Sequence, residues 1–225
     1  MSRVFPLWVK TPHCIRALAP DVLWQMPSSE KKLYLTFDDG PVPEVTSFVL
    51  EQLKKHRAKA TFFCIGDNVR KHPDVFREVL DDGHTIGNHT IHHISGWQLS
   101  EEVYLEEVAS CEKELKTAMN KENENGIDTG TKLFRPPYGK LKPSQYKKLK
   151  AQYQIVLWDV LSYDFDVNIS GETVAENIIN NAESGSIVVL HDSAKAFPRL
   201  KIALPKVLEH FSENGWKFES ITQSV

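Results

Sequence analysis

Two adjacent aspartates, Asp38 and Asp39, end an apolar stretch in the segment LYLTFDDGP. Neighbouring negative charges repel each other unless water solvates them or a cation lies between them. A turn after a strand accounts for one aspartate at such a place, but poorly for two. We therefore expect one carboxylate to bind a divalent cation while its neighbour stays free to carry a proton.

Two histidines four residues apart, His89 and His93, supply the matching cation ligands in the segment NHTIHH. One helical turn would place both imidazoles on the same side, with His92 pointing away toward solvent. Two histidines and one carboxylate leave coordination positions open, as in a catalytic zinc site. The same ligand set holds non-haem iron in oxygenases, so both metals agree with the pattern.

An arginine and a further histidine complete the candidate chemistry. Arg135 lies in FRPPYG, where two prolines make a rigid turn, and it could orient a carboxylate or form a structural salt bridge. His191 ends the apolar run IVVLH. It is either a candidate general acid or a buried core histidine.

Short apolar runs alternate with amphipathic ones, which predicts strands alternating with helices. The predicted strands are KLYLTF, ATFFCIG, HTIGNH, KLFRPP, QIVLWDV, SIVVLHD and WKFESI. Ser100 is a plausible N-cap for one helix, and Pro205 is expected in the first turn of the last helix. About seven βα units imply a parallel sheet with outer helices, and either an open sheet or a barrel fits. Ligands bind at the carboxyl ends of such strands, where these ionisable residues fall.

Composition limits the remaining possibilities. The chain of 225 residues has a net charge of −3 and no polybasic segment, which argues against a nucleic-acid partner. No apolar run approaches the ~18 residues of a membrane span. The N-terminus does not resemble a signal peptide, so we expect a cytoplasmic protein, with an extracellular or periplasmic one still open. Three widely spaced cysteines predict neither a disulfide framework nor a structural zinc site.

The chain is expected to form one main domain. Residues 1–30 lack clear periodicity and are predicted to form an arm that packs on a domain of residues 31–225. The polar segment Asn120–Lys132 predicts a solvated loop. The oligomeric state is open.

Five motifs together resemble the NodB-homology polysaccharide deacetylases, carbohydrate esterase family 4. They are TFDDG, HTIHH, RPPYG, WDVLSYDFD and IVVLHD, in the family's order and approximate spacing, from Leu33 to the C-terminus. The resemblance implies an α/β fold, a distorted (β/α)7 barrel with helices outside a parallel strand barrel. It also implies an acetylated polysaccharide or oligosaccharide as the substrate.

The resemblance assigns roles to the residues introduced above. Asp39, His89 and His93 would hold a divalent metal, with zinc expected and cobalt, nickel or manganese as alternatives. Asp38 would be the general base that takes a proton from water. Arg135 would orient Asp38.

Four further residues take roles from the same resemblance. The backbone N–H of Tyr138 would stabilise the oxyanion, and His191 would protonate the leaving amine. Leu190 would line the pocket for the acetyl methyl group, and Trp158 would border the substrate groove.

The fourth motif departs from the family, because Leu161 stands where the family has an aspartate that pairs with the catalytic histidine. Strand side chains alternate, so Asp159 should face the same way as Leu161 and could supply the missing carboxylate. Asp164 matches the motif's second aspartate and is the other candidate. Phe165 replaces the family's tryptophan.

These observations predict a metal-dependent hydrolase that removes N-acetyl groups from a chitin- or peptidoglycan-type glycan, releasing acetate and a free amine. An O-acetyl esterase on xylan-like sugars, or a hydrolase of another C–N bond, is the alternative on the same scaffold. A non-catalytic carbohydrate-binding protein and an iron oxygenase agree less well with the five motifs.

Overall fold

The computed structural model describes residues 8–27, 29–120 and 132–222 of the chain. Residues 121–131 of the predicted loop lie outside these ranges, as do residues 1–7 and 28 of the predicted arm. The strands are Lys32–Asp38 (β1), Thr61–Cys64 (β2), Thr85–Asn88 (β3), Leu133–Phe134 (β4), Gln154–Ile155 (β5), Val160–Leu161 (β6), Ile187–His191 (β7) and Lys217–Phe218 (β8). The α-helices are His13–Ala17 (α1), Val45–Lys55 (α2), Gly66–Lys71 (α3), Pro73–Asp81 (α4), Glu101–Asn120 (α5), Pro143–Leu149 (α6), Gly171–Ile179 (α7) and Phe197–Glu213 (α8). Two 3₁₀ turns, Gly96–Gln98 and Pro137–Gly139, lie near the site described below.

The strands form one parallel sheet in the order β5-β4-β3-β2-β1-β7-β6, and β8 pairs with β1 near its amino end. Only residues 156–159 separate β5 from β6, although these strands lie at opposite ends of that order. The sheet must therefore curve round so that its two ends approach each other. The result is a parallel half-barrel with helices outside, which confirms the predicted fold class.

Alternation along β1 explains how the core and the site share one strand. Leu33, Leu35 and Phe37 pack in the main hydrophobic core with residues of α2 and α8. Each such buried side chain stabilises the fold by roughly 1.5–3 kcal/mol. The intervening Thr36 and Asp38 face the other way, into the half-barrel.

The predicted strand QIVLWDV is two short strands with a connection between them. The chain near residues 8–27 supplies the backbone partners there: Leu23 N–H donates to Ile155 O at 2.9 Å and Leu157 N–H donates back to Leu23 O at 2.9 Å. Farther along, Thr11 N–H donates to Asp159 O at 2.8 Å. Sequence periodicity could not reveal this split, because the hydrogen bonds come from a segment about 130 residues away.

The last helix begins earlier than predicted. It starts at Phe197, so Pro205 lies in its interior instead of its first turn, which Pro198 occupies. The buried side chains of Leu200 and Ala203 extend its apolar face upstream of Pro205. Burial of that face outweighs the one backbone hydrogen bond that an interior proline removes. Within the described ranges, no helix combines the length and apolar character needed to cross a membrane.

Candidate active site

Four of the predicted site residues lie at the carboxyl ends of strands of the same sheet. Asp38 ends β1, and its strand partner in β7 is His191. His89 follows β3, and Arg135 follows β4. Parallel pairing brings these strand ends to one rim, which is where α/β sheets place ligands.

Asp39, His89 and His93 form a compact cluster of candidate metal ligands. Their ligand atoms all lie within 4.8 Å of one another. Asp39 Oδ1 is 3.3 Å from His93 Nε2 and 3.8 Å from His89 Nε2. Asp39 has a left-handed backbone with φ of 83°, and the Asn68 side chain donates to its carbonyl oxygen at 2.7 Å. This support aims the carboxylate at the two imidazoles.

His89 is held in the tautomer that a metal ligand needs. Its Nδ1–H donates to the Arg135 carbonyl oxygen at 2.7 Å, so the lone pair on Nε2 points toward Asp39. Burial lowers the pKa of His89 to about 4, which keeps the imidazole neutral. A backbone carbonyl on the distal nitrogen is the usual arrangement for a metal-bound histidine.

The segment that carries His93 is a turn, not the predicted helical turn. Thr90 and His93 both have positive φ, at 67° and 58°. Asn88 Oδ1 accepts from Thr90 N–H at 2.9 Å, and Thr90 Oγ1 accepts from His93 N–H at 3.0 Å. His92 turns outward to Glu107, 2.8 Å away, in agreement with its predicted solvent-facing position.

The cluster fits a divalent cation. Asp39 Oδ1 is buried and has no hydrogen-bond partner among the described residues. An unpaired buried carboxylate oxygen is costly, and a cation between it and the two imidazole nitrogens would remove that cost. Two nitrogens and one oxygen match the donor preferences of zinc.

Asp38 is fixed beside the cluster without belonging to it. Arg135 is fully buried and its Nη1–H donates to Asp38 Oδ1 at 2.6 Å. Arg135 is itself held by the oxygens of Thr36 and Leu157, at 2.7 and 3.1 Å, and its guanidinium stacks on Phe63. Burial alone would raise the pKa of Asp38, but the guanidinium holds it below its usual value. Asp38 is therefore ionised and oriented, with Oδ2 left to accept a proton.

The structure places Asp164, not Asp159, against His191. His191 Nδ1–H donates to Asp164 Oδ1 at 2.7 Å, and the His191 backbone N–H donates to Asp164 Oδ2 at 2.7 Å. Although burial lowers the pKa of His191, Asp164 raises it more strongly, to about 10. His191 is thus a protonated imidazole at neutral pH, as a general acid requires.

Asp159 instead ties the start of the chain to the half-barrel, which corrects its predicted catalytic role. Its carboxylate accepts from Arg16 and Ser186 and lies 3.4 Å from Lys10 Nζ. The break between β5 and β6 removes the strand alternation on which the prediction depended.

Leu190 also differs from its prediction. It packs in the main core between the sheet and the outer helices. Neighbouring residues of a strand face opposite sides, so Leu190 points away from the side on which His191 lies. Val189, two residues before His191, lies on the same side as His191.

Tyr138 and Trp158 lie beside the cluster. Tyr138 has a left-handed backbone with φ of 59°, and its ring centroid is 4.7 Å from that of His93. Trp158 is half-buried and lies next to Gly139, where an added Cβ would come within 2.8 Å of the indole. The roles predicted for them, the Tyr138 backbone N–H at the oxyanion and Trp158 at the substrate groove, stay predictions.

Several supporting residues were not predicted. Asp192 accepts from Gly40 N–H at 3.0 Å and from Thr46 Oγ1–H at 2.6 Å, and so holds the loop after Asp39. Asn68 and Asn88 support Asp39 and the histidine turn, as described above. A polar residue beside an apolar run is a weak sign that its side chain holds a loop by hydrogen bonds. The group to which it bonds cannot be identified without the fold.

Comparison with known proteins agrees with this arrangement. The Polysaccharide deacetylase family model matches residues 25–156. A peptidoglycan-N-acetylglucosamine deacetylase of Bacillus cereus is 34% identical, over 90% of this chain and 92% of its own length. A peptidoglycan-N-acetylmuramic acid deacetylase of Bacillus subtilis is 32% identical, over 86% and 71%.

A solved structure shows the same architecture. A peptidoglycan N-acetylglucosamine deacetylase, crystallised with 4-naphthalen-1-yl-N-oxidanyl-benzamide, superposes with a TM-score of 0.82 and 29% identity. The match covers 94% of this chain and 95% of that one. The family model, the relatives and the fold agree, and the chain belongs to the polysaccharide deacetylase family, whose members hydrolyse carbon–nitrogen bonds.

Proposed function

We propose that the protein is a metal-dependent deacetylase that removes the N-acetyl group from N-acetylglucosamine residues of a peptidoglycan- or chitin-type glycan. The observation that carries the proposal is the cluster of Asp39, His89 and His93, within 4.8 Å, beside an Asp38 that Arg135 orients. The names of the relatives described above support an N-acetylated glycan.

Asp39, His89 and His93 would hold the cation, and zinc suits their donor atoms best. When bound, such an ion lowers the pKa of water toward about 7 and polarises the acyl oxygen. Cobalt, nickel and manganese are alternatives for the same three ligands.

The protein's own residues supply the proton transfers. Arg135 donates a hydrogen bond to Asp38 Oδ1, so the other carboxylate oxygen, Oδ2, takes a proton from the attacking water. The Tyr138 backbone N–H donates to the oxygen of the tetrahedral intermediate. His191 Nε2–H then protonates the leaving nitrogen, while Nδ1–H stays bonded to Asp164. The C–N bond breaks, and acetate and a free amine are released.

The test is acetate release by the purified protein after metal removal and reconstitution with zinc, cobalt, nickel or manganese. Substrates are an N-acetylglucosamine tetrasaccharide and O-acetylated xylan. We expect metal-dependent acetate release from the tetrasaccharide. Release only from xylan would replace the proposal with an O-acetyl esterase, and release that is unaffected by metal removal would exclude the metal-dependent mechanism.

A further inference from the structure

A second group of residues beside the cluster is not used by the chemistry above: Trp97, Lys140 and the ring of Tyr138. Trp97 and Tyr138 are the most exposed aromatic side chains near the site, at 61% and 60%. Lys140 Nζ lies 5.1 Å from the Trp97 ring centroid and 6.0 Å from that of Tyr138. One ammonium group therefore lies within reach of two exposed rings.

The two rings are held in place although they face solvent. Trp97 Nε1–H donates to the Leu141 carbonyl oxygen at 3.2 Å. Buried Gln145 joins both sides of this surface, because its amide donates to Gly96 O and accepts from Lys142 N–H, each at 2.9 Å. Rigid exposed rings lose little conformational entropy when a ligand binds on them.

These rings suit a sugar. A pyranose presents a face of C–H groups, and an aromatic ring offers a flat apolar surface of matching size with a polar edge. Because the Tyr138 ring also packs against His93, a sugar on this surface lies next to the one that is deacetylated.

Lys140 adds a charge requirement. It has no carboxylate partner among the described residues, so its ammonium can bond a ligand. An ammonium offers three donors to a carboxylate. The other side of the site repeats the pairing, since Lys195 Nζ lies 5.9 Å from the centroid of the Phe165 ring, and that ring makes a T-shaped contact with His191. Cations thus flank the site in a chain whose net charge is −3.

We propose that Trp97, Lys140 and Tyr138 form a subsite for a sugar that carries a carboxylate, next to the sugar that loses its acetyl group. This inference rests on the proposed deacetylase function and predicts that an anionic glycan is a better substrate than a neutral one. A strand that alternates N-acetylglucosamine with a sugar that bears a free lactyl carboxylate has this chemistry, and chitin does not.

The test compares two forms of one tetrasaccharide of alternating N-acetylglucosamine and N-acetylmuramic acid. One has free lactyl carboxylates, and the other has them converted to neutral amides. Binding is measured by titration calorimetry, and acetate release by kcat/KM. We expect the wild type to prefer the acid, and Lys140→Ala to reduce that preference roughly fivefold, as for an exposed ion pair.

Matched variants separate charge from packing. Lys140→Arg should retain the preference, and Lys148→Ala, which removes an exposed lysine of α6, should leave it unchanged. Trp97→Ala should weaken binding of both forms. A wild type without preference for the acid, or a preference that Lys140→Ala leaves intact, would overturn the subsite. Lys140-dependent binding without acetate release would instead retain the subsite and overturn the deacetylase proposal.

Discussion

The pair of aspartates that ends β1 divides two tasks between neighbouring residues. Asp39 faces the imidazoles, whereas Asp38 faces Arg135. Asp38→Asn preserves the shape of the side chain but cannot accept a proton. We expect metal content to be retained and kcat to fall by about 10²–10⁴, the usual contribution of a general base. Elemental analysis by mass spectrometry and acetate release measure the two quantities.

His89→Ala is the contrasting variant, because it removes a ligand whose orientation the Arg135 carbonyl fixes. It should lose both metal and activity. The melting temperature of each variant shows whether it is folded. Full turnover by a folded Asp38→Asn protein would contradict the role given to Asp38.

The pairing of His191 with Asp164 predicts a specific change in the pH profile. Burial lowers the pKa of His191, but Asp164 raises it to about 10. A general acid works while protonated, so activity is lost as pH rises through this pKa. Asp164→Asn removes the main raising effect, and the alkaline limb of the kcat profile should therefore move to lower pH.

Asp159→Ala is the control for this experiment. Its carboxylate contacts Arg16, Ser186 and Lys10, so the alkaline limb should keep its position. If Asp159→Ala shifts the limb and Asp164→Asn does not, the assignment of the partner is reversed.

At the scale of elements, the sequence predicted best those strands whose apolar pattern lies within a single short segment. The apolar runs of β1, β2, β3 and β7 form strands as expected, and Asp38, His89 and His191 lie at or directly after the ends of β1, β3 and β7. The turn that presents His93 was not predictable in detail, because the Asn88 side chain that bonds to Thr90 N–H is itself held by the Val108 carbonyl oxygen of α5. The role that the resemblance gave to Leu190 does not fit its position in the core, because neighbouring residues of a strand face opposite sides.

The loop after β1 depends on close contact between Gly40 and Asp192. A Cβ at Gly40 would lie 1.9 Å from Asp192 Oδ2, and Asp192 is buried and bonded to Thr46. Gly40→Ala must therefore shift this loop and Asp39 with it. A displacement of about 1 Å at a catalytic group can cost roughly 10²-fold in rate. We expect a loss of that size in kcat/KM.

Gly215→Ala provides the comparison for this prediction. Gly215 has φ of +75° but nothing within 4 Å of an added Cβ. That substitution should cost about 1 kcal/mol of stability through backbone strain and leave kcat/KM of the folded protein unchanged. Equal activity of both alanine variants would show that the Gly40–Asp192 contact does not position Asp39.

For the whole molecule, the end strands β5 and β6 of the half-barrel do not pair with each other, and another part of the chain lies against both. Residues 8–27 bond to β5, β6 and the connection between them, and the most buried charged contact of this joint pairs Arg16 with Asp159, which also lies 3.4 Å from Lys10 Nζ. The Arg16 side chain is 11% exposed and that of Asp159 is fully buried. Removing one partner of a buried pair leaves the other charge without compensation.

We therefore expect Asp159→Ala to lower the free energy of unfolding by about 3 kcal/mol, measured by urea denaturation. Arg16→Ala should cost a similar amount, and the double variant less than the sum, because the second substitution no longer leaves a charge behind. Glu51→Ala removes one partner of the exposed Glu51–Lys55 pair and should change stability by no more than about 0.5 kcal/mol. Additive losses for Arg16 and Asp159 would show that the two residues act independently, and the start of the chain would then not join the half-barrel through this contact.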